Sequence, residues 1–253
     1  MMHKRGQISI FVIIALVIVG IIIVFMAYPN IRTLVAPQEI SPERYLSDCM
    51  QPEVKGVVET LSAQGGYQNP EGYINYLGTN VKYLCYVSGY YKTCLVQQPL
   101  LISHFEIELS KILTPKAEAC ARSMITEYQN RGFSVSYSDI KSNISLSSGK
   151  VEITFIAPIT ITKDETTRTF EEFDAGVNSE IYDLLSIATS IIDFEATYGD
   201  SETTLYLRYY PDLKIEKIKL EDGIKIYKLT NSISGEMFQF ATRSLVWPPG
   251  YGL

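Results

Sequence analysis

Between Ile8 and Tyr28 the chain carries no charged side chain, and only Ser9 and Gly20 interrupt an otherwise apolar run. At ~1.5 Å of helical rise per residue, a run of this length crosses the ~30 Å hydrocarbon layer of a bilayer. Residues 8–28 are therefore predicted to form a single transmembrane helix, with the lipid bilayer as the first partner. Residues 1–7 hold Lys4 and Arg5 and no acid. Basic flanks stay on the cytoplasmic side, which puts the N-terminus inside and residues 29–253 outside the cell membrane. A secretory h-region spans roughly 7–15 residues, shorter than this run. Ala27 is preceded two positions earlier by Phe25 rather than by a small residue, and no Cys lies nearby, so the segment reads as a retained signal-anchor.

The residues in front of the run point to a second reading. Lys4-Arg5-Gly6-Gln7 directly precedes the apolar helix and resembles the class III signal of archaeal type IV pilins and archaellins. The resemblance covers about the first 27 residues. It implies cleavage between Gly6 and Gln7, with the hydrophobic helix retained and packed in a filament core. Phe11 occupies the fifth mature position, where bacterial pilins usually carry Glu, so the sequence departs from that pattern.

The outer part is large enough for a real core: the chain has 253 residues, 46% of them hydrophobic. Without Lys4 and Arg5, the rest carries 20 basic and 28 acidic residues, a net charge of −8. That balance excludes general nucleic-acid binding, which needs clustered cations against phosphates. Residues 29–40, with Pro29 and Pro37, read as a linker. Ser41-Pro42-Glu43 opens a helix, with Ser41 as cap and Pro42 where no amide partner is needed. Leu46, Met50, Val54, Val57, Val58 and Leu61 follow helical spacing, with a kink expected at Pro52. A second helix is expected from about Ile102 to Asn130, interrupted at Pro115, and a third over 179–198.

Strands are expected at Phe133–Tyr137 and Val151–Thr162, where apolar and polar residues alternate, with Pro158 marking an edge strand or a bulge. Further strands are expected at Leu205–Tyr209, Leu213–Leu220, Gly223–Leu229 and Met237–Thr242, with Glu221-Asp222-Gly223 as a hairpin turn. The fold class is α+β: a helical half over 41–132, then an antiparallel sheet with one helix over 133–253.

All four cysteines follow the apolar run, and an even count outside the cell favours two disulfides. If Gly89-Tyr90 forms a two-residue type II′ turn, Tyr86 faces Thr93 and Cys85 faces Cys94 at a non-hydrogen-bonded position, where side chains approach closest. That leaves Cys49 with Cys120, tying the first helix to the second. There is no Cys-x-x-Cys pair, so a redox enzyme and a zinc site are both disfavoured.

No catalytic constellation emerges, and no cofactor or metal site is expected. His104 and Glu108 share a helix face, but His104 is the one histidine beyond the apolar run, and two ligands do not make a metal site. No Gly-x-Ser-x-Gly elbow or phosphate loop is present. The acid-rich stretch Asp164, Glu165, Glu171, Glu172, Asp174 does not have EF-hand spacing and reads as a solvated turn. Asn143-Ile144-Ser145 is a glycosylation sequon in an expected turn. Tyrosine is the compositional oddity, with 18 in the chain. Tyrosines supply rigid contact area with a polar tip, which makes Tyr86, Tyr90 and Tyr91 the leading interface candidates. Three roles follow: a single-pass cell-surface protein whose outer part has a binding or structural role, with itself or another surface protein as partner, a pilin-like filament subunit, and an anchored hydrolase using carboxylates.

Overall fold

The computed structural model describes residues 12–21 and 41–248. The chain divides into a unit ending at Ile40 and a unit beginning at Ser41. In the first, residues 12–21 are helical with exposed apolar side chains. The ends of the apolar run, the Gly6-Gln7 junction and the linker lie outside the described residues. Among the described residues no helix is long and apolar enough to cross a membrane.

The second unit starts with helix α1 (Pro42–Ala63), capped by Ser41, whose side chain accepts from the Arg44 amide. The α1 face carrying Leu46, Met50, Val54, Val58 and Leu61 is buried. Gly65 and Gly66, both at positive φ, end the turn. A Cβ at Gly65 would stand 2.8 Å from Lys82 Cβ, so the close approach of this loop to strand β2 requires glycine. Strands β1 (Tyr73–Tyr76), β2 (Thr79–Tyr86) and β3 (Leu95–Val96) follow, then α2 (Leu101–Asn130).

Next come β4 (Ser134–Tyr137), β5 (Lys141–Ser147), β6 (Lys150–Lys163) and β7 (Thr166–Asn178), then α3 (Ile181–Tyr198) and α4 (Thr204–Tyr209). Strands β8 (Leu213–Lys219), β9 (Ile224–Asn231) and β10 (Met237–Arg243) complete the unit.

The architecture is α+β with two sheets. One runs β1-β2-β10-β9-β8, with β3 also paired to β2. Its β2–β10 pair is parallel and its other pairs are antiparallel. The other sheet is antiparallel: β6 has β7 on one side and β5 then β4 on the other. Helices α1 and α2 pack on each other, α1 also on β7 and β10, α2 on β5, and α3 on β10. Phe105, Leu109 and Leu113 of α2 meet a core that includes Phe155, Tyr227, Phe238 and Phe240, all fully enclosed. Each such side chain contributes about 1.5–3 kcal/mol on burial.

Several expectations need correction. The division at residue 132 fails, because β2 from the first part lies between β1 and β10 of one sheet. That sheet is mixed rather than antiparallel. Leu205–Tyr209 is within helix α4 rather than a strand; none of its residues is buried, so no sheet neighbour holds it extended. Glu171, Glu172 and Asp174 lie on strand β7, where the alternating residues Phe173, Ala175 and Val177 are buried; only Asp164 and Glu165 form a turn. Asn143 sits within strand β5, not in a turn.

Pro115 does not interrupt α2. It lines an open groove together with Lys111, four residues earlier, whose carbonyl loses its amide partner on a solvated side of the helix. Pro158 marks a bulge: the β6–β7 register shifts between Ile156 and Ile159, while β6 stays paired on both sides. The Glu221-Asp222-Gly223 turn forms as a three-residue connection closed where Leu220 N donates to Ile224 O at 2.8 Å, with Asp222 and Gly223 both at positive φ.

Candidate interaction surface

Strand β10 runs beside β2 and brings Thr242 against Cys85 and Arg243 against Tyr86. β3 returns antiparallel, with Cys85 opposite Val96 and Tyr86 opposite Leu95. Two disulfides are present, Cys85–Cys94 and Cys49–Cys120. The same cysteines are joined as the sequence pattern indicates, but not through the same register. Gly89 is not at positive φ, so no type II′ turn forms, and Cys94 lies just outside β3. The bond instead closes a loop, residues 87–94, that folds onto the chain leaving β10.

That loop is fixed along its length. Val87 N donates to Arg243 O at 3.1 Å, Leu245 N to Lys92 O at 2.9 Å, and Tyr91 N to Val246 O at 2.9 Å. Cys94 N donates to Ser244 Oγ at 3.0 Å. Tyr91 and Leu245 adopt φ of 58° and 48°, each costing about 1–3 kcal/mol for a residue with a side chain, so their contacts over-determine them. Val246 is fully buried and seats the C-terminal segment.

The result is a group of exposed rings. Tyr91 and Trp247 stand edge to face with centroids 5.2 Å apart and are 55% and 56% exposed. Tyr86 and Tyr90 are also exposed, and Tyr86 contacts Tyr83 at 5.1 Å. The buried Arg243 guanidinium supports Tyr86 from 5.8 Å. It donates to Asp222 Oδ2 at 2.8 and 3.2 Å and to the Val87 carbonyl. Arg243 thereby links the β8–β9 turn, β10 and the disulfide loop. Burial raises the Tyr83 phenol above its ordinary range, with the Tyr86 and Asp222 charges adding to it and Arg243 opposing. The Tyr83 hydroxyl therefore stays a protonated donor. Rigid rings with polar tips are side chains suited to contact, and the cation beside them is already satisfied.

The sequence pointed to Tyr86, Tyr90 and Tyr91, which the structure leaves exposed, but not to Trp247, Arg243 and Asp222 beside them. The one tryptophan in the chain was a signal; the contacts made by Arg243 and Asp222 had none, because β2 and β10 meet from opposite ends of the unit.

The other candidates resolve differently. His104 packs against Tyr67 with ring centroids 4.0 Å apart and the planes tilted by 37°, and its Nε2 is enclosed with no hydrogen-bond partner among the described residues. Burial lowers its pKa, against the Glu108 carboxylate and a hydrogen bond to the Gly66 backbone, so the ring is neutral. Burial works to raise Glu108, but Lys111 at 2.7 Å and the Gln68 amide at 3.2 Å outweigh it and hold the carboxyl low. These residues fasten the loop after α1 to α2. Among the described residues no group of three His, Cys, Asp or Glu is placed to hold a metal.

A buried ionic cluster lies at the end of α3 and has no local sequence signature. Glu195, 0% exposed, accepts from Lys225 Nζ at 2.6 and 3.0 Å, from Ser201 N at 3.1 Å and from the Tyr227 hydroxyl. Asp200 adds a contact to Lys225 at 3.2 Å and one to Lys217 at 2.5 Å. Burial, with Glu195 adding to it, raises the Tyr227 phenol far above its ordinary range. Burial also acts to raise Asp200, and Lys217 and Lys225 outweigh it, leaving that carboxyl low. The cluster locks α3 to β8 and β9.

Compared with family models, curated proteins and solved structures, the chain matches none of them.

Proposed function

We propose that the protein is a single-pass cell-surface binding protein, held in the membrane by residues 8–28 with its N-terminus in the cytoplasm. The unit beginning at Ser41 then faces outward and meets its partner through Tyr86, Tyr90, Tyr91 and Trp247. The observation that carries this reading is the aromatic group itself, exposed yet fixed by Cys85–Cys94, Arg243 and the chain after β10. Exposed rings held in one conformation lose little entropy on binding, which suits an interface. The charge-free apolar run, basic flank and disulfides support the placement.

The partner is another surface protein or a second copy of this chain. The test is cross-linking on intact cells with the full chain and its Tyr90→Ser/Tyr91→Ser variant. The wild type should give a discrete cross-linked species whose mass separates self-association from a second protein. The variant should lose that species at an unchanged thermal midpoint. Retention of the species in the variant would refute the assignment.

A second reading rests on Lys4-Arg5-Gly6-Gln7 ahead of the apolar run. Here the protein is a subunit of a type IV pilus-like filament, cut after Gly6 and packed through its N-terminal helix. Mass spectrometry of the mature N-terminus from native membranes separates the two. A chain starting at Gln7 supports the filament, and one starting at Met1 or Met2 supports the fixed anchor.

A further inference from the structure

Helix α2 and strand β5 border an open groove of about 690 Å³. Its walls include Glu106, Ile107, Ser110, Lys111, Thr114 and Pro115 from the helix, and Asn143 and Ile144 from the strand. Asn143 is exposed and begins the only Asn-x-Ser/Thr triplet with a non-proline centre that lines this groove, Asn143-Ile144-Ser145. Among the described residues β5 pairs only with β6, and its other edge has no neighbouring strand. Ile107 is 54% exposed on the groove wall, an apolar side chain facing outward from a helix whose opposite face forms the core.

From these observations we infer that Asn143 carries an N-linked oligosaccharide whose first sugars lie in the α2–β5 groove. The inference rests on the outward placement of the unit proposed above. Three features favour a sugar as the occupant. The acceptor side chain stands on the rim, so an attached saccharide starts at the groove. The walls combine the apolar side chains of Ile107 and Pro115 with the hydroxyl side chains of Ser110 and Thr114 between them, suiting the apolar faces and hydroxyl edges of pyranoses. An extended peptide adding to the β5 edge is obstructed, because the Glu106 carboxylate already accepts the outward Leu146 amide at 2.8 Å.

The step is glycosyl transfer from a polyprenyl phosphate-linked oligosaccharide. A bond forms between Asn143 Nδ2 and the anomeric carbon, and the bond from that carbon to the phosphate oxygen breaks. The lipid phosphate leaves with the bonding electrons, and the displaced Nδ2 proton passes to the transferase base.

The test uses full-length protein from its native membranes. Trypsin releases residues 142–150 as one peptide, because Lys141 and Lys150 bound it. The expected result is a sugar-sized mass increment on that peptide, absent from Asn143→Gln and from Ser145→Ala and retained in Ser145→Thr. The groove is read separately by acylation of Lys111 on the folded protein. It should proceed at least threefold more slowly in the wild type than in Asn143→Gln. Full recovery of the peptide at its unmodified mass, from protein that external protease reaches on intact cells, overturns the modification and leaves the outward placement standing. Equal acylation rates overturn the groove as the seat of the sugar.

Discussion

The two disulfides sit in regions that contrast sharply. Cys49–Cys120 joins two helices that pack on each other, across 71 residues, with Cys120 buried and Cys49 half-buried. Cys85–Cys94 spans 9 residues and closes a surface loop with two left-handed residues around it and exposed aromatics on it. The first ties the two packed helices together. The second holds a shape that the local sequence does not favour. Covalent constraint here divides between stability and presentation, which is why the candidate surface lies at the short bridge.

The largest effect should come from breaking the long bridge. A loop of this length restricts the unfolded chain by about 4 kcal/mol in the chain-entropy account, so Cys49→Ala/Cys120→Ala should lower the urea unfolding free energy by roughly that much. Its partner cross-link should persist wherever the fold persists. Cys85→Ala/Cys94→Ala should cost less, about 2–3 kcal/mol on the same account, yet abolish the cross-link. If the long bridge proves the one needed for the cross-link, the contrast is wrong.

Arg243→Met tests the same region without touching a cysteine. A hydrogen-bonded charge contributes about 1.5–3 kcal/mol when enclosed, and the solvent at half-exposed Asp222 should keep the loss near 1 kcal/mol. The cross-link should weaken more than stability does, since Tyr86 and Val87 lose their support together. Equal losses in Arg243→Met and in a distant variant of matched stability would show that Arg243 has no particular role at the surface.

The smallest effect is a pH dependence. The folded His104 pKa lies below its ordinary value because of burial. As pH falls below about 6.5, the unfolded state therefore takes up a proton that the folded state refuses, and stability declines. His104→Gln should flatten that part of the stability–pH curve. An unchanged slope would mean that the ring is protonated in the fold.

How far the sequence led depended on whether a contact was local. Helix α1 was readable from Ser41, Pro42 and the Leu46–Leu61 spacing, because capping and periodicity are local. The cysteine partners followed from parity and proximity even though the register was wrong, since a 9-residue separation brings the pair together by several backbone routes. Strand β7 was hidden because the acids of its exposed face mask the alternation of Phe173, Ala175 and Val177. The parallel pairing of β2 with β10 was not readable at all. It depends on the whole unit closing, and it places Arg243 and Trp247 beside Tyr86 and Tyr91. The Glu195–Lys225 pair, 30 residues apart, was invisible for the same reason.

The most direct test of the central claim is protease accessibility on intact cells expressing the full chain. An anchor at residues 8–28 with the unit outside predicts that protease added to the medium cuts in or after residues 29–40 and removes the unit from the membrane fraction. A chain that stays full-length until the membrane is permeabilised, with an exposed control protein cut in the same sample, would contradict the account.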